Sequence, residues 1–424
     1  MGTLLRNIRP VARSDGHHFF RFEAGVFTDV RERDIVPEPG DTVVEGSGKL
    51  AFSGFANAHT HLAMVLLRGL ADDVPLATWL EDYVWPIERA LKPEDIYWCT
   101  LLALCEAIRS GTTCLADMYF HTEEVARAIE ESGIRALISY GMIAESLDAK
   151  GQAELETTRK LVERWNGAAG GRIAVAVSPH TVYTCGEAVW REAIEMARDL
   201  NVPIHTHLSE TRREVEEWRT RTGESPVAYL ERIGAFDVPT LAAHCVHVDH
   251  ADIEILARRG VWVAHCPKSN AKLGSGVAPV VTMRDAGVTV ALGTDGAASN
   301  NRLDMLEEMR AAWIVQRAHH EDPAHLSGED VVEMATDNGR RALGAPPGGL
   351  EAGAAADIVL LDQRRSHSWP VHDPIPTLAY AASAADVTDV IVAGRVLMKD
   401  GKLLTIDEER VQSEVERLLR RVKI

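Results

Sequence analysis

A chain of 424 residues with 46% hydrophobic and 25% charged side chains has the composition of two or three globular domains, or of one large barrel with an accessory module; it is neither disordered nor fibrous. Its 63 acidic residues outnumber 45 basic ones, and a net charge of −18 repels phosphate backbones, so a nucleic-acid polymer is not an expected partner. No apolar stretch approaches the ~18 residues of a membrane span, so no membrane partner is expected either.

The first twenty residues mix Arg6, Arg9, Arg13 and Asp15 among apolar side chains, without the h-region of a secretory signal. Residues 1–52 carry short β-like runs and turn signals such as Glu38-Pro39-Gly40-Asp41, and read as the N-terminal part of a small β-sandwich. Residues 53–344 form the second unit. Eight candidate strands follow in order there: Ser53–Ala58, Thr112–Asp117, Ile134–Ser139, Ile173–Ser178, Pro203–Leu208, Leu241–Val246, Val261–Cys266 and Thr289–Thr294. The intervening stretches have helical spacing, as in Ala188, Ile194, Ala197 and Leu200, or Ile253, Leu256 and Ala257. Alternating strands and helices make an α/β protein with parallel strands, and eight such units over about 250 residues suit a TIM-like (β/α)₈ barrel. A doubly wound open sheet is the alternative, because counting strands does not establish closure. Residues 345–424 return to β-like runs at Asp357–Leu361 and Val387–Leu397 after the Pro346-Pro347-Gly348-Gly349 boundary, and complete the β-sandwich from the other chain end. A charged amphipathic helix over Glu408–Val422 follows. The six cysteines include no C-x-x-C pair and lie mostly in apolar runs, which reads as reduced core thiols of a cytoplasmic protein.

The chemistry concentrates at the predicted strand ends. His59-Thr60-His61 closes the first strand and His205-Thr206-His207 the fifth, and an i, i+2 spacing on extended chain points both rings of each pair to one side. Glu210 follows three residues on; His244 ends the sixth strand, His265 the seventh, and Thr294-Asp295-Gly296 the eighth. In a barrel these ends converge on one face, where imidazoles and a carboxylate suit Zn²⁺ or Fe²⁺. A single strand-end histidine is more often structural, but two H-x-H pairs with further histidines and an aspartate favour a metal site. Of the remaining histidines, His17, His18, His121, His319, His320, His325, His367 and His372 sit in polar segments and read as solvated, and His247 and His250 as turn or surface residues.

With Gly54-Phe55-Ala56-Asn57-Ala58-His59-Thr60-His61 as a first-strand signature, the sequence resembles the amidohydrolase superfamily. Leu66-Leu67-Arg68-Gly69-Leu70-Ala71-Asp72-Asp73 through Trp79-Leu80 narrows the resemblance to the 5′-methylthioadenosine/S-adenosylhomocysteine deaminase group. Ser178-Pro179-His180, His205 to Glu210, Ala243 to His247, Cys266 to Asn270 and Gly293 to Gly296 continue it in the expected order. The resemblance implies one divalent metal, zinc or alternatively iron, held by His59, His61, His207 and Asp295. No lysine stands at the end of the fourth strand, where two-metal relatives carry a carboxylated one, and His180 lies just beyond that strand instead. In the implied mechanism Asp295 is the general base, His244 stabilises the attacking oxygen, and Glu210 protonates the ring nitrogen, which requires surroundings that raise its pKa. Glu210, Trp79, Glu88 and His180 are the implied substrate-binding residues, with Glu88 accepting from ribose hydroxyls. Ser269 and Asn270 read equally as turn chemistry of the seventh loop and as direct site contacts.

Relatives that accept adenosylhomocysteine place arginine after the third strand, whereas Gly141–Thr158 here has no arginine and a single lysine, Lys150. The reading therefore favours methylthioadenosine, with adenosylhomocysteine as a second substrate. The nearest rival is an aminohydrolase or chlorohydrolase of another heterocycle such as guanine, a pterin, adenosine or an s-triazine; a metal-free scaffold is a more distant one. The expected partner is a small-molecule nucleoside, and the expected assembly a homo-oligomer.

Overall fold

The computed structural model describes residues 2–11, 16–74 and 78–422, so Arg13 and Asp15 lie outside the described residues. The N-terminal region forms β1 (Thr3–Pro10), β2 (His18–Glu23), β3 (Val26–Arg31), β4 (Thr42–Glu45) and β5 (Lys49–Phe52). The barrel strands are β6 (Phe55–Thr60), β7 (Thr112–Tyr119), β8 (Arg135–Met142), β9 (Ile173–Pro179), β10 (Ile204–Leu208), β11 (Thr240–His244), β12 (Trp262–His265) and β13 (Thr289–Leu292). The C-terminal region adds β14 (Ile358–Asp362), β15 (Val387–Val392), β16 (Arg395–Lys399) and β17 (Lys402–Leu403).

All eight expected strands are present, and β6 to β13 pair in parallel in sequence order. Every residue of β6 and β7 is buried, as expected for strands covered on both faces, which is why they read as continuous apolar runs. Small side chains such as Ala56, Ala58, Cys114, Ala116, Ala176 and Ala243 fill the interior, and Ala342 and Leu343 pack onto the same cluster. The helix Glu187–Asp199 turns Val189, Trp190, Ala193 and Ile194 to the core; Ala188, counted in its apolar stripe from sequence, is exposed.

The barrel closes across β13 and β6 without a regular ladder. Asn57 bridges the seam instead: its Oδ1 accepts from Thr294 N–H at 2.9 Å and its Nδ2 donates to Thr294 Oγ1 at 2.7 Å. Beside it, Asp295 N–H donates to His59 O at 2.9 Å. The backbones approach so closely that a Cβ on Gly293 would lie 2.9 Å from His59 N, so only glycine fits there.

Both chain ends build one nine-stranded sheet, in the order β17-β16-β15-β14-β5-β1-β2-β3 with β4 also on β1. Its core includes Leu5, Ile8, Phe20, Phe22, Ile358 and Ile391. His18, expected to be solvated, is buried there, its ring stacked 6.2 Å from that of Phe20. A buried triad ties sheet to barrel: Arg135 Nε donates to Asp357 Oδ2 at 2.8 Å and Arg340 Nη2 to the same oxygen at 2.5 Å. Burial works to raise the Asp357 pKa, but the two guanidiniums outweigh it and hold the carboxyl below its usual range. The terminal helix Glu408–Val422 buries Val411, Val415 and Leu418, and its Glu408 pairs with Arg109. All six cysteines are buried and unbridged. No helix among the described residues is long and apolar enough to cross a membrane.

Candidate active site

The two H-x-H pairs meet across the barrel mouth. His59 sits inside β6 and His61 one residue beyond it; His205 and His207 both lie in β10. The first members of the pairs bond each other, with 2.9 Å between His59 Nδ1 and His205 Nε2. The second members face each other, with 3.2 Å between the Nε2 atoms of His61 and His207.

Each ring is held by its far nitrogen. His61 Nδ1 donates to Met118 O at 2.5 Å, and His207 Nδ1 to His180 O at 3.0 Å. Burial pushes the His205 pKa down to about 3, so its neutral ring accepts from His59 Nδ1–H, while its own Nδ1 lies 3.4 Å from Ser139 Oγ. Burial also holds His59 and His207 well below the ordinary histidine value. Three Nε2 lone pairs are therefore presented to one point, where they join the carboxylate of Asp295. Asp295 Oδ1 lies 3.3 Å from His61 Nε2 and 3.6 Å from His59 Nε2. The donor atoms of His59, His61 and His207 lie within 4.8 Å of one another. His59 Nε2 is buried without any hydrogen-bond partner. Converging lone pairs and an anionic oxygen repel each other unless a cation lies between them, so this nitrogen–oxygen donor set fits a divalent metal.

Asp295 follows β13 in a left-handed conformation, φ 61°. Its Oδ2 accepts from Ser269 Oγ at 2.6 Å and Ser299 Oγ at 2.7 Å, which leaves Oδ1 toward the imidazoles. Burial opposes its charge, but His61, His244 and the two hydroxyls hold its pKa below the usual carboxylate range. His244 ends β11 at φ 73°, its Nδ1 bonded to Asn270 Oδ1 at 2.9 Å and its Nε2 3.9 Å from Glu210 Oε2. Burial disfavours a charged ring there, yet Glu210 and Asp295 outweigh it and raise the His244 pKa. Ser269 and Asn270, read from sequence equally as turn chemistry and as direct contacts, thus touch the site directly.

Burial raises the Glu210 pKa, which favours the protonated acid. The turn that carries it is pinned by Glu214, whose carboxylate accepts from the backbone N–H groups of Ser209 at 3.2 Å and Glu210 at 2.9 Å. This same residue completes the capping box with Thr211 at the start of helix Arg212–Thr222.

The remaining residues expected at the site line the same pocket. Trp79 and Glu88 come from the consecutive helical segments Trp79–Val84 and Trp85–Glu88 after β6. Trp79 is 5% exposed, and Tyr119 donates its hydroxyl to Glu88 Oε1 at 2.6 Å. His180 follows β9, its ring 4.6 Å from that of His207. Tyr119 and Tyr183 also line the pocket. The sequence offered no signal for these two, because each is placed by a strand or loop whose neighbours are distant in the chain. His265, expected at a strand end, is buried with no hydrogen bond to either ring nitrogen and does not line this pocket.

Residues 50–397 match the sequence model of the Amidohydrolase family. The 5-methylthioadenosine/S-adenosylhomocysteine deaminase of Pelotomaculum thermopropionicum is 48% identical over 392 residues, covering 92% of this chain and 90% of that protein. The 5′-deoxyadenosine deaminase of Methanothermobacter thermautotrophicus is 47% identical over 382 residues, 90% of each chain. Among solved structures, an adenosine deaminase from Xanthomonas campestris with bound zinc is similar with a TM-score of 0.92 at 32% identity, over 99% of this chain and 98% of that one.

Proposed function

The chain belongs to the amidohydrolase family, and from that premise we propose that it is a metal-dependent hydrolytic deaminase of 5′-substituted adenosines, converting 5′-methylthioadenosine to 5′-methylthioinosine and ammonia. S-adenosylhomocysteine and 5′-deoxyadenosine belong to the same substrate class, which is also the class named for the relatives. The observation that carries the reading is a single pocket lined by the imidazole–carboxylate cluster, a buried acid at Glu210 and a second carboxylate at Glu88.

His59, His61, His207 and Asp295 would hold one divalent ion, which we assign as zinc from the donor set. When bound, the metal supplies Lewis acidity that brings the pKa of water toward neutrality. Asp295, ionised and fixed by Ser269 and Ser299, accepts a proton from the attacking water at Oδ1. His244, oriented by Asn270, donates a hydrogen bond to the attacking oxygen through Nε2. Glu210 gives its proton to the ring nitrogen beside the attacked carbon, which makes that carbon electrophilic. Asp295 then passes its proton to the amine; the C–N bond breaks, ammonia leaves, the carbon–oxygen double bond forms, and the remaining hydroxyl proton returns to Glu210. Glu88 accepts from the ribose diol, with Tyr119 holding its other face, while Trp79 and His180 wall the nucleoside. The six unbridged buried cysteines suit a reducing compartment, and we place the enzyme in the cytoplasm.

The test is Glu210→Gln. An amide keeps the shape but has no proton to give, so the variant should retain one equivalent of metal and lose about 10²-fold or more in kcat. A metal-loaded variant that turns over methylthioadenosine at the parent rate would overturn this reading.

A further inference from the structure

Two serines fix Asp295, and the residue beside each of them is held by one and the same carboxyl group. Ser269 and Ser299 donate to Asp295 Oδ2 at 2.6 and 2.7 Å. Ser269 belongs to the short helix Pro267–Lys272 after β12, and Ser299 to the short helix Ala297–Asn300 after β13. Their chain neighbours Lys268 and Asn300 both bond Glu308, on the helix Met305–His320 that follows. Glu308 Oε1 accepts from Asn300 Nδ2 at 2.5 Å, and Glu308 Oε2 from Lys268 N–H at 3.4 Å. Asn300 Nδ2 also donates to Thr294 O at 2.6 Å, one residue before Asp295. The adjacent Glu307 takes the Lys268 ammonium, so the same turn of helix anchors that segment twice.

Glu308, Ser269, Ser299 and Asn300 are all buried. Burial pushes the Glu308 pKa up to about 8, against the pull of Asn300 and Lys268. A buried carboxyl carries a desolvation cost that an apolar side chain of the same size avoids, unless its oxygens find donors. Here both do. Ionised or protonated, a carboxyl offers two oxygens as acceptors where an amide offers one. Glu308 does not line the active-site pocket, so it acts only through the segments it holds.

We propose that Glu308 is a positioning residue for the general base: by holding Lys268 and Asn300 it places the two hydroxyls that aim Asp295 Oδ1 at the attacking water; this rests on the deaminase reading above. A base must stand within hydrogen-bond reach of the proton it takes, and a displacement of about 1 Å in such a group costs on the order of 10²-fold in rate. Release of either segment lets its serine shift and Asp295 turn, which slows proton transfer. The nucleoside walls Trp79, Glu88 and His180 come from other segments and stay in place.

The experiment measures kcat and KM for 5′-methylthioadenosine at saturating zinc in the full chain and in Glu308→Leu and Glu308→Gln, each made in the parent and in a Ser269→Ala/Ser299→Ala background. Glu308→Leu fills the volume without acceptors and should lower kcat about 10–100-fold, with KM within about twofold of the parent. Glu308→Gln keeps one acceptor of two and should lose about three- to tenfold in kcat; it carries the comparison if the leucine variant does not fold. The background lacking both serines should itself be about as slow as Glu308→Leu, and either substitution should lower its kcat by less than about twofold more, because the hydroxyls through which Glu308 acts are gone. Parent kcat in both variants, a loss that falls on KM instead, or the same fold loss in both backgrounds would overturn the positioning role and leave the deaminase reading standing. A parent that releases ammonia from no adenosine derivative would overturn that reading and the positioning role with it.

Discussion

His205 shows how a residue outside the proposed metal set can govern one inside it. Its ring accepts from His59 Nδ1 at 2.9 Å and so fixes the tautomer that turns the His59 Nε2 lone pair to the cluster. Replacing it by alanine would leave a buried N–H without an acceptor and free the His59 ring to rotate. His205→Ala should therefore weaken zinc binding about 10–100-fold in competition with a chelating dye, with the circular dichroism unchanged. Unchanged zinc affinity would remove His205 from that role. The H-x-H spacing made visible that four imidazoles share a side. It could not say which ring of the fifth-strand pair reaches the pocket, since that depends on depth along the barrel axis. Asn270 and Ser269 read equally as turn residues and as direct contacts, because their partners His244 and Asp295 lie 26 residues away from each. The role of Glu210 was legible through the family resemblance, while the burial that raises its pKa was not.

At the scale of elements, strand order was legible and strand ends were less so. The sixth strand was expected to continue to Val246, but it stops at His244, because His244 and Cys245 take φ of 73° and 46°. That left-handed step directs His244 into the mouth, and an apolar run of sequence gives no sign of it. Likewise β6 extends to Thr60 rather than stopping at Ala58, since Thr60 still pairs with Asp117 and both His59 and Thr60 are buried in the barrel wall. The terminal helix matched its expected range because its charge pattern is periodic and its packing local. The seam between β13 and β6 depends on Asn57 and Thr294, 237 residues apart, and closure therefore lay beyond what periodicity can show. Asn57→Ala removes both bridging hydrogen bonds and leaves Thr294 N–H buried without a partner. It should cost about 1–3 kcal/mol in urea unfolding and reduce bound zinc, because Asp295 is the next residue. Parent stability together with parent zinc content would show that the seam is closed by other contacts.

For the whole molecule, the two chain ends serve the barrel without entering its mouth. They form one sheet, locked to the barrel through Asp357 and the two arginines that hold it, one on β8 and one following β13. The alternation of strands and helices made the barrel legible, and the β-like runs at both ends made their association legible. The buried triad was not, because an Asp–Arg pair 222 residues apart leaves no local pattern. The convergent donor set and the acid-lined pocket suit the small nucleoside substrate proposed above. The most direct test is ammonia release on titrating metal-depleted protein with zinc, using 5′-methylthioadenosine beside guanine and a chloro-s-triazine. The account predicts no release without metal, a plateau at one equivalent of zinc, and the highest kcat/KM on methylthioadenosine. Full activity in the metal-depleted protein, or turnover of guanine or the triazine alone, would contradict it.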